Sequence, residues 1–333
     1  MATLSVTNPT LLDLAKASDP DGKISTVIEI LNQMNEVLDD MTWMEGNLPT
    51  GHRTTIRTGL PAPTWRKLYG GVQPNKGTTA QVTESCGMLE AYAEIDKALA
   101  DLNGNTAAYR LLEDKAHLEG MNQELATTLF NGNESIDPEK FTGFAPRYNN
   151  LSTALNKENI IDGGGTGSTN NSIWLVVWGP NTAHGIIPKG SKAGFQMADK
   201  GQITIENVDG SGGRMEAYRT HYRWDAGLTV RDWRYVVRIC NIDRTTLTKN
   251  AASGADLIDL MTQALEIVPG TNIGRPVFYV PRLVRSFLRR QIVNKVAPGT
   301  LTMEAVAGRK VVAFDGIPVR RVDALAADEA RIV

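Results

Sequence analysis

"IDGGGTGSTNNSIWLVVWG", running from Ile161 to Gly179, separates two fold classes. Glycine-rich loops beside strands often cradle phosphates. Such a cradle needs a helix N-terminus after the loop, because the free amides and the helix dipole bind the anion. Here the loop leads into Ile173-Trp174-Leu175-Val176-Val177-Trp178, an apolar block that predicts a strand, and the run contains no lysine. The sequence therefore argues against a nucleotide site and for a flexible surface link ahead of a buried strand.

Downstream, the pattern stays mostly β and then alternates. Gln202–Glu206 alternates in polarity. Arg214–Trp224 and Leu228–Ile242 are long, aromatic and β-branched, and Asp225-Ala226-Gly227 between them predicts a hairpin or two long paired strands. Asp256–Val268 is a predicted helix stopped by Pro269-Gly270, Pro276–Val280 a strand, and Pro281–Asn294 a helix with proline at its start. Arg309–Phe314 and Ile317–Val322 are strands split by Asp315-Gly316, completing a compact α/β unit.

Upstream, Thr106–Phe130 is the best long helix. Tyr109, Leu112, Ala116, Met121, Leu125 and Leu129 line one stripe, Asn105 or Thr106 can cap its start, and Asn131-Gly132 can end it. Ser25–Met41 is a second helical pattern, preceded by a short leading helix. Between these lies Gly46–Thr83, with prolines at 49, 61, 63 and 74 and no helical period. It has no Asp or Glu, yet it carries Arg53, Arg57, Arg66, Lys67 and Lys76. A connection this long without its own core is usually functional or disordered, and Trp65, Leu68 and Tyr69 argue against disorder. It is expected to be an extended arm or hairpin that packs on a partner.

The following segment, Glu84–Lys140, reverses the sign and is expected to be acid-rich and helical. If every copy presents that acidic surface to the next copy's arm, the contact is head-to-tail, the geometry that closes rings. Single exposed ion pairs are weak, so the arm gains from repetition and from its aromatic side chains. The expected contact residues are Arg53, Arg57, Trp65, Arg66, Lys67 and Tyr69 on the arm and Glu113, Asp114 and Glu119 on the acidic helix.

The 333 residues suffice for two domains, and 41% hydrophobic and 22% charged residues are ordinary for a folded protein. A formal net charge of -2 gives no global case for nucleic-acid binding. Met1 is followed by Ala2-Thr3-Leu4-Ser5, without a basic or apolar leader pattern, so a reducing cytoplasm is expected. Asn170-Asn171-Ser172 is then an accidental glycosylation match. Cys86 and Cys240 make no disulfide framework, and Cys240 is expected to be a buried thiol.

Catalytic motifs are sparse. Thr182-Ala183-His184-Gly185 and Asp209-Gly210-Ser211-Gly212-Gly213 are similar to the histidine and serine segments of trypsin-like proteases. The stretch between them is too short to supply a barrel, and the order around Ser211 is transposed, so Asp209–Gly213 is better taken as a hairpin turn. His52, His117, His184 and His221 are scattered, which nominates no metal site. Arg282, Arg285, Arg289, Arg290 and Lys295 form a basic run that is better taken as a solvated helix face than as a nucleic-acid or neighbour-subunit contact.

The order of parts resembles the major capsid proteins of tailed bacteriophages. Three segments carry the resemblance: "NGNESIDPEKFTGFAPRY" (Asn131–Tyr148), after the long helix; "YRWDAGLTVRDWRYVVRICNID" (Tyr222–Asp243), a long strand region; and "VVAFDGIPVRRVDAL" (Val311–Leu325), a strand pair around a Gly-Ile-Pro turn. The resemblance implies the α+β Hong Kong-type capsid fold, shared with herpesvirus capsid floors. It implies an N-terminal arm at 1–45, an extended loop at 46–83 and a peripheral domain at 84–160 and 201–248. That peripheral domain would hold a spine helix and long strands. An axial domain would take 249–333, with 161–200 an insertion or a further axial segment. By the same resemblance the chain is no enzyme and takes no cofactor or metal. It would self-assemble into hexamers and pentamers of an icosahedral shell around double-stranded DNA, which it would touch weakly and non-specifically. Implied partners are a scaffolding protein, a portal protein and a decoration or cement protein, with no membrane. The implied location is the virion capsid, with host cytoplasm during assembly. Competing expectations are a phage tail or adaptor ring protein, or a serine hydrolase using His184 and Ser211. Some members crosslink through a lysine and an asparagine; the resemblance assigns no such pair to residues of this sequence.

Overall fold

The computed structural model describes residues 35–192, 194–206, 211–248, 254–294, 301–306, 309–326 and 328–333. The leading helix, most of Ser25–Met41, Asp209-Gly210 and Lys295 lie outside the described residues. In chain order the elements are α1 (Val37–Asp40), β1 (Trp43–Glu45), β2 (Gly51–Gly59), β3 (Thr78–Asp96), α2 (Lys97–Ala100), α3 (Thr106–Asn131), β4 (Ile160–Asp162), β5 (Asn170–Trp178) and β6 (Ala183–Ile187). They continue with β7 (Phe195–Glu206), β8 (Arg214–Val230), β9 (Val236–Asp243), α4 (Leu257–Ile267), β10 (Arg275–Val280), α5 (Arg282–Asn294), β11 (Leu301–Val306), β12 (Arg309–Phe314) and β13 (Ile317–Arg321). These fall into two compact units. The smaller holds Met88–Ala126 and Lys192–Asp225; the larger holds Asn35–Gly87, Thr127–Ser191 and Ala226–Val333.

The larger unit is organised by β5. All nine of its residues are buried. A strand buried on both faces reads as a continuous apolar run, which is why Ile173–Trp178 shows no alternation. Its backbone groups need partners on both edges. β10 pairs antiparallel along one edge, with Val177 opposite Pro276 and Leu175 opposite Phe278. On the other edge β9 pairs antiparallel over Asn170–Val176, and β6 takes over in parallel at Trp178. β13 then adds to β10 in parallel, and β12 and β11 follow antiparallel.

The two faces of β5 are chemically distinct. Ile173, Leu175 and Val177 enter an aliphatic core with Val237, Ile239, Met261, Val284 and Leu288, where α4 and α5 cover the sheet. Trp174 and Trp178 face an aromatic cluster instead. Phe144 lies 5.7 Å from the Trp174 ring and 5.9 Å from Trp178, and Phe130 lies 6.1 Å from Trp174. Trp178 Nε1 donates to the Tyr279 hydroxyl at 2.7 Å, while Trp174 Nε1 is buried without a hydrogen-bond partner. Buried Arg238 lies over Trp174 at 4.9 Å and donates to Ser172, the Tyr148 carbonyl and Glu329.

The segment after α3 explains its glycines. Phe144 N–H donates to the Leu129 carbonyl and Gly143 N–H to Gly132, so the returning chain pairs with the helix C-terminus and its otherwise orphaned carbonyls. A Cβ on Gly143 would stand 2.6 Å from the carbonyl oxygens of both Thr128 and Leu129, and one on Gly132 would stand 2.5 Å from those of Thr128 and Phe141. Only glycine permits that approach.

The run Ile161–Ser172 differs from the slack link expected of it. Gly163 and Gly165 donate backbone hydrogen bonds to the Cys240 and Asn241 carbonyls, and Gly164 N–H to Asp162. A Cβ on Gly165 would sit 2.5 Å from the Asn241 carbonyl. The glycines serve close backbone approach along β9. Asn170 and Asn171 of the glycosylation match are buried in β5. Cys240 is buried as expected, and burial pushes its thiol up to about 12.

In the smaller unit, β7 pairs with β8 from Phe195 opposite Trp224 to Glu206 opposite Arg214, and β3 is the other neighbour of β8. Residues of α3 pack on this sheet: Met121 meets Ala93 and Tyr222, and Tyr109 meets Ile95 and Leu99.

Two expectations are corrected here. Asp225-Ala226-Gly227 is no turn: β8 runs uninterrupted from Arg214 to Val230. Asp225 is buried and paired with Arg223, and Gly227 is needed because a Cβ would meet the Ser85 carbonyl at 2.8 Å. Glu84–Asp96 is a strand, not the start of a helical segment. Its carboxylates form cross-strand pairs, Glu94 with Arg219 and Glu90 with His221 and Arg223, which offset the unfavourable strand preference of Glu. By contrast α3, α4 and the Asp315-Gly316 turn fall where the sequence put them; the turn has φ 49° and 75° at its two central residues.

Gly143→Ala should lower stability by about 1–3 kcal/mol or more through overpacking against backbone. Gly120→Ala, in α3 with open space around its Cα, should raise it by roughly 1 kcal/mol. Urea midpoints of the two variants check this; equal shifts would contradict the close-approach account.

Candidate inter-subunit surface

The acid-free arm is a hairpin. β2 pairs antiparallel with the first part of β3, from Gly51 opposite Ser85 to Gly59 opposite Thr78, with an irregularity between Arg57 and Gly59. Its root is closely fitted: a Cβ on Gly51 would lie 1.9 Å from the Glu84 carbonyl oxygen. Glu84 is buried, pairs with Arg147 and accepts the Val230 N–H at 3.2 Å. Burial pushes its carboxyl up, and Arg147 opposes that shift.

Beyond Gly59 the hairpin has no cover from the other described residues. Leu60 is 79% exposed, and Trp65 and Tyr69 are fully exposed, as are the charges around them. Tyr69 is held at φ 63°, in the left-handed region, within a turn closed by the Gly70 N–H donating to the Lys67 carbonyl. Arg53 donates to the Thr83 hydroxyl at 3.1 Å. Among the described residues Arg57, Arg66 and Lys67 have no carboxylate partner.

The acidic residues expected to receive the arm share one helix and one degree of burial. Glu113, Asp114 and Glu119 are all half-buried on α3. Glu119 accepts from Gln123 at 2.7 Å. Asp114 stands beside Tyr222, whose phenol is pushed up first by burial and then by that carboxylate. Other acids of the 84–140 segment are engaged with β8, as above, so the net acidity legible in sequence overstates the free acidic surface.

His184 lies in β6 with no exposed surface. Its ring meets His52 edge-on at 5.9 Å, and His52 Nε2 is 3.0 Å from an Arg231 nitrogen. Burial pushes the His184 imidazole down to about 4, and Arg231 and His52 add to the shift. A ring enclosed in this way has no route to a proton on a substrate, which removes the base from the hydrolase reading; Ser211 is exposed. On α5, Arg282 pairs with Asp323 and Arg290 lies over Phe287, while Arg285 is half-buried. Among the described residues no helix is long and apolar enough to cross a membrane. Sequence inspection missed Arg231-Asp232-Trp233-Arg234, which faces β2; the two arginines flanking a tryptophan were the available signal.

A fold with an uncovered hairpin arm, a long helix on a sheet and a buried α/β core is that of a viral shell subunit. The bacteriophage JBD30 capsid structure matches with a TM-score of 0.51 at 9% identity, covering 96% of this chain and 100% of that one, which establishes the fold. The structure of bacteriophage Epsilon15 matches with a TM-score of 0.77 at 41% identity over 100% of both chains. Residues 19–333 match the family model described as major capsid protein GP7. The chain belongs to the major capsid protein GP7 family, structural shell subunits of bacteriophages. No curated protein matches the sequence.

The His184 geometry has a pH consequence. Between the ordinary pKa of 6.5 and about 4 the unfolded chain binds a proton that the folded chain does not. Stability therefore falls as pH drops through that window, by up to about 3 kcal/mol. Urea midpoints at pH 7.5 and 4.5 should converge in His184→Gln relative to the parent; an unchanged pH slope would refute this origin.

Proposed function

We propose that this chain builds an icosahedral shell of hexamers and pentamers around double-stranded DNA, and that its hairpin arm fastens each copy to the next. The observation that carries the arm's role is the uncovered tip: Leu60, Trp65, Leu68 and Tyr69 find no cover among the described residues of their own chain. Apolar surface of this kind marks a contact with another molecule. Trp65, Arg66, Lys67 and Tyr69 reach the neighbouring copy, Arg53 and Arg57 at the root steer its approach by charge without touching it, and Glu113, Asp114 and Glu119 contribute to the receiving face. The aromatic side chains supply the burial, and the charges set approach and register. A separate scaffolding protein, a portal and a decoration protein complete the particle, which assembles in host cytoplasm. The near-neutral charge of the chain keeps contact with packaged DNA weak and salt-sensitive.

The test is assembly followed by sedimentation and negative-stain imaging. The parent should form closed particles. Trp65→Ala/Tyr69→Ala and Arg66→Glu/Lys67→Glu should leave folded subunits with unchanged urea midpoints while particle yield drops at least tenfold. Normal particles from both variants would overturn the arm's role, and open tubes or single rings from the parent would overturn the shell.

A further inference from the structure

The root of the arm holds a feature that neither the tip contact nor the family membership accounts for. β2 is the terminal strand of its sheet, so one of its edges has no strand partner among the described residues. Along β2 from Arg53 to Leu60 runs a groove of about 850 Å³, whose far wall is Asn181 and Arg231–Arg234.

Its lining is charged in one sense. Arg53, Arg57, Arg231 and Arg234 contribute guanidinium groups, and the sole carboxylate of the lining, Asp232, is already held by Arg234 at 2.7 Å. Arg231 donates to the Pro180 carbonyl at 2.9 Å and contacts His52, which fixes it in place. The floor is apolar, with half-buried Ile56 and Trp233. Two polar atoms of the lining, Thr54 Oγ1 and Arg231 Nε, are buried without a hydrogen-bond partner. Such atoms cost free energy unless something supplies a partner.

We propose that this groove binds an extended, acidic segment of a separate polypeptide, which adds to β2 as a strand. Strand addition satisfies an open edge through main-chain hydrogen bonds and reads the partner through alternate side chains. Arg53, Thr55 and Arg57 are exposed and alternate with half-buried Thr54 and Ile56. The occupant therefore carries carboxylates facing Arg53 and Arg57, with apolar residues between them facing Ile56 and Trp233. A second copy is disfavoured as the source. Acids on several extended stretches among the described residues are already held: Glu84 with Arg147, Glu90 and Glu94 with β8, Asp328 with Arg244 and Glu329 with Arg238. A nucleic acid would answer the arginines but not the strand edge.

The test uses the full chain and a fluorescein-labelled Glu-Val decapeptide, read by fluorescence anisotropy. The peptide should bind at least tenfold tighter than a Lys-Val decapeptide. The same peptide N-methylated at alternate residues keeps its charge but cannot pair as a strand, and should bind at least tenfold weaker. Arg57→Glu, at an exposed position without a carboxylate partner, should weaken binding at least tenfold with an unchanged urea midpoint. Equal binding of the methylated peptide, equal binding of a twelve-base-pair DNA duplex, or no effect of Arg57→Glu would each overturn the proposal. Release of the peptide whenever copies associate would also overturn it, by assigning the groove to a second copy.

Discussion

A strand buried over its whole length constrains everything near it. Nine consecutive buried residues in β5 leave no backbone group for water to satisfy, so each edge must be paired and each face covered. That requirement brings β10 and β9 to the same strand although they are distant in sequence, and recruits β6 where β9 ends. It also divides the core by side-chain parity. Odd positions meet the aliphatic side chains of α4 and α5, and Trp174 and Trp178 meet the aromatic rings gathered at the end of α3. Seating Phe144 among those rings brings the returning chain against the helix-end carbonyls, an approach open only to glycine, and Gly132 and Gly143 occupy those points. The order of causes runs from backbone pairing to parity, then to rings, then to glycine placement.

How much was legible in the sequence follows from where each signal resides. α3 announces itself through a 3.6-residue stripe and α4 through its Pro269-Gly270 stop, and Asp256 caps α4 by accepting from the Asp259 N–H. Asp315-Gly316 is a local turn chemistry and needs no tertiary knowledge. β3 was not legible as a strand, because its acids are tolerated through cross-strand partners on β8, more than a hundred residues away. Asp225-Ala226-Gly227 misleads for a related reason: Gly227 answers the close approach of Ser85, not a turn. The glycine run at 163–165 likewise responds to β9. In each case glycine or acid types that signal irregular or helical structure locally were placed by a distant backbone or charge.

The candidate surface divides in the same manner. The arm's lack of acids and its aromatic content are properties of one contiguous segment, and they pointed to an exposed hairpin before any coordinates. The groove at its root could not be read that way, because it needs β2 and the 231–234 turn together. For the acidic face, a count of carboxylates says nothing of which ones already hold an arginine.

In the proposed contact between copies, an arm tip left uncovered by the other described residues has a kinetic consequence. Its side chains must give up conformational freedom at the moment of contact, so part of the gain from burying Trp65 and Tyr69 is offset. Each single junction is then weaker than its buried area implies and can open again. A growing lattice joined by such junctions can expel a misplaced copy before its neighbours trap it, and it becomes durable only when many junctions close around the same subunit.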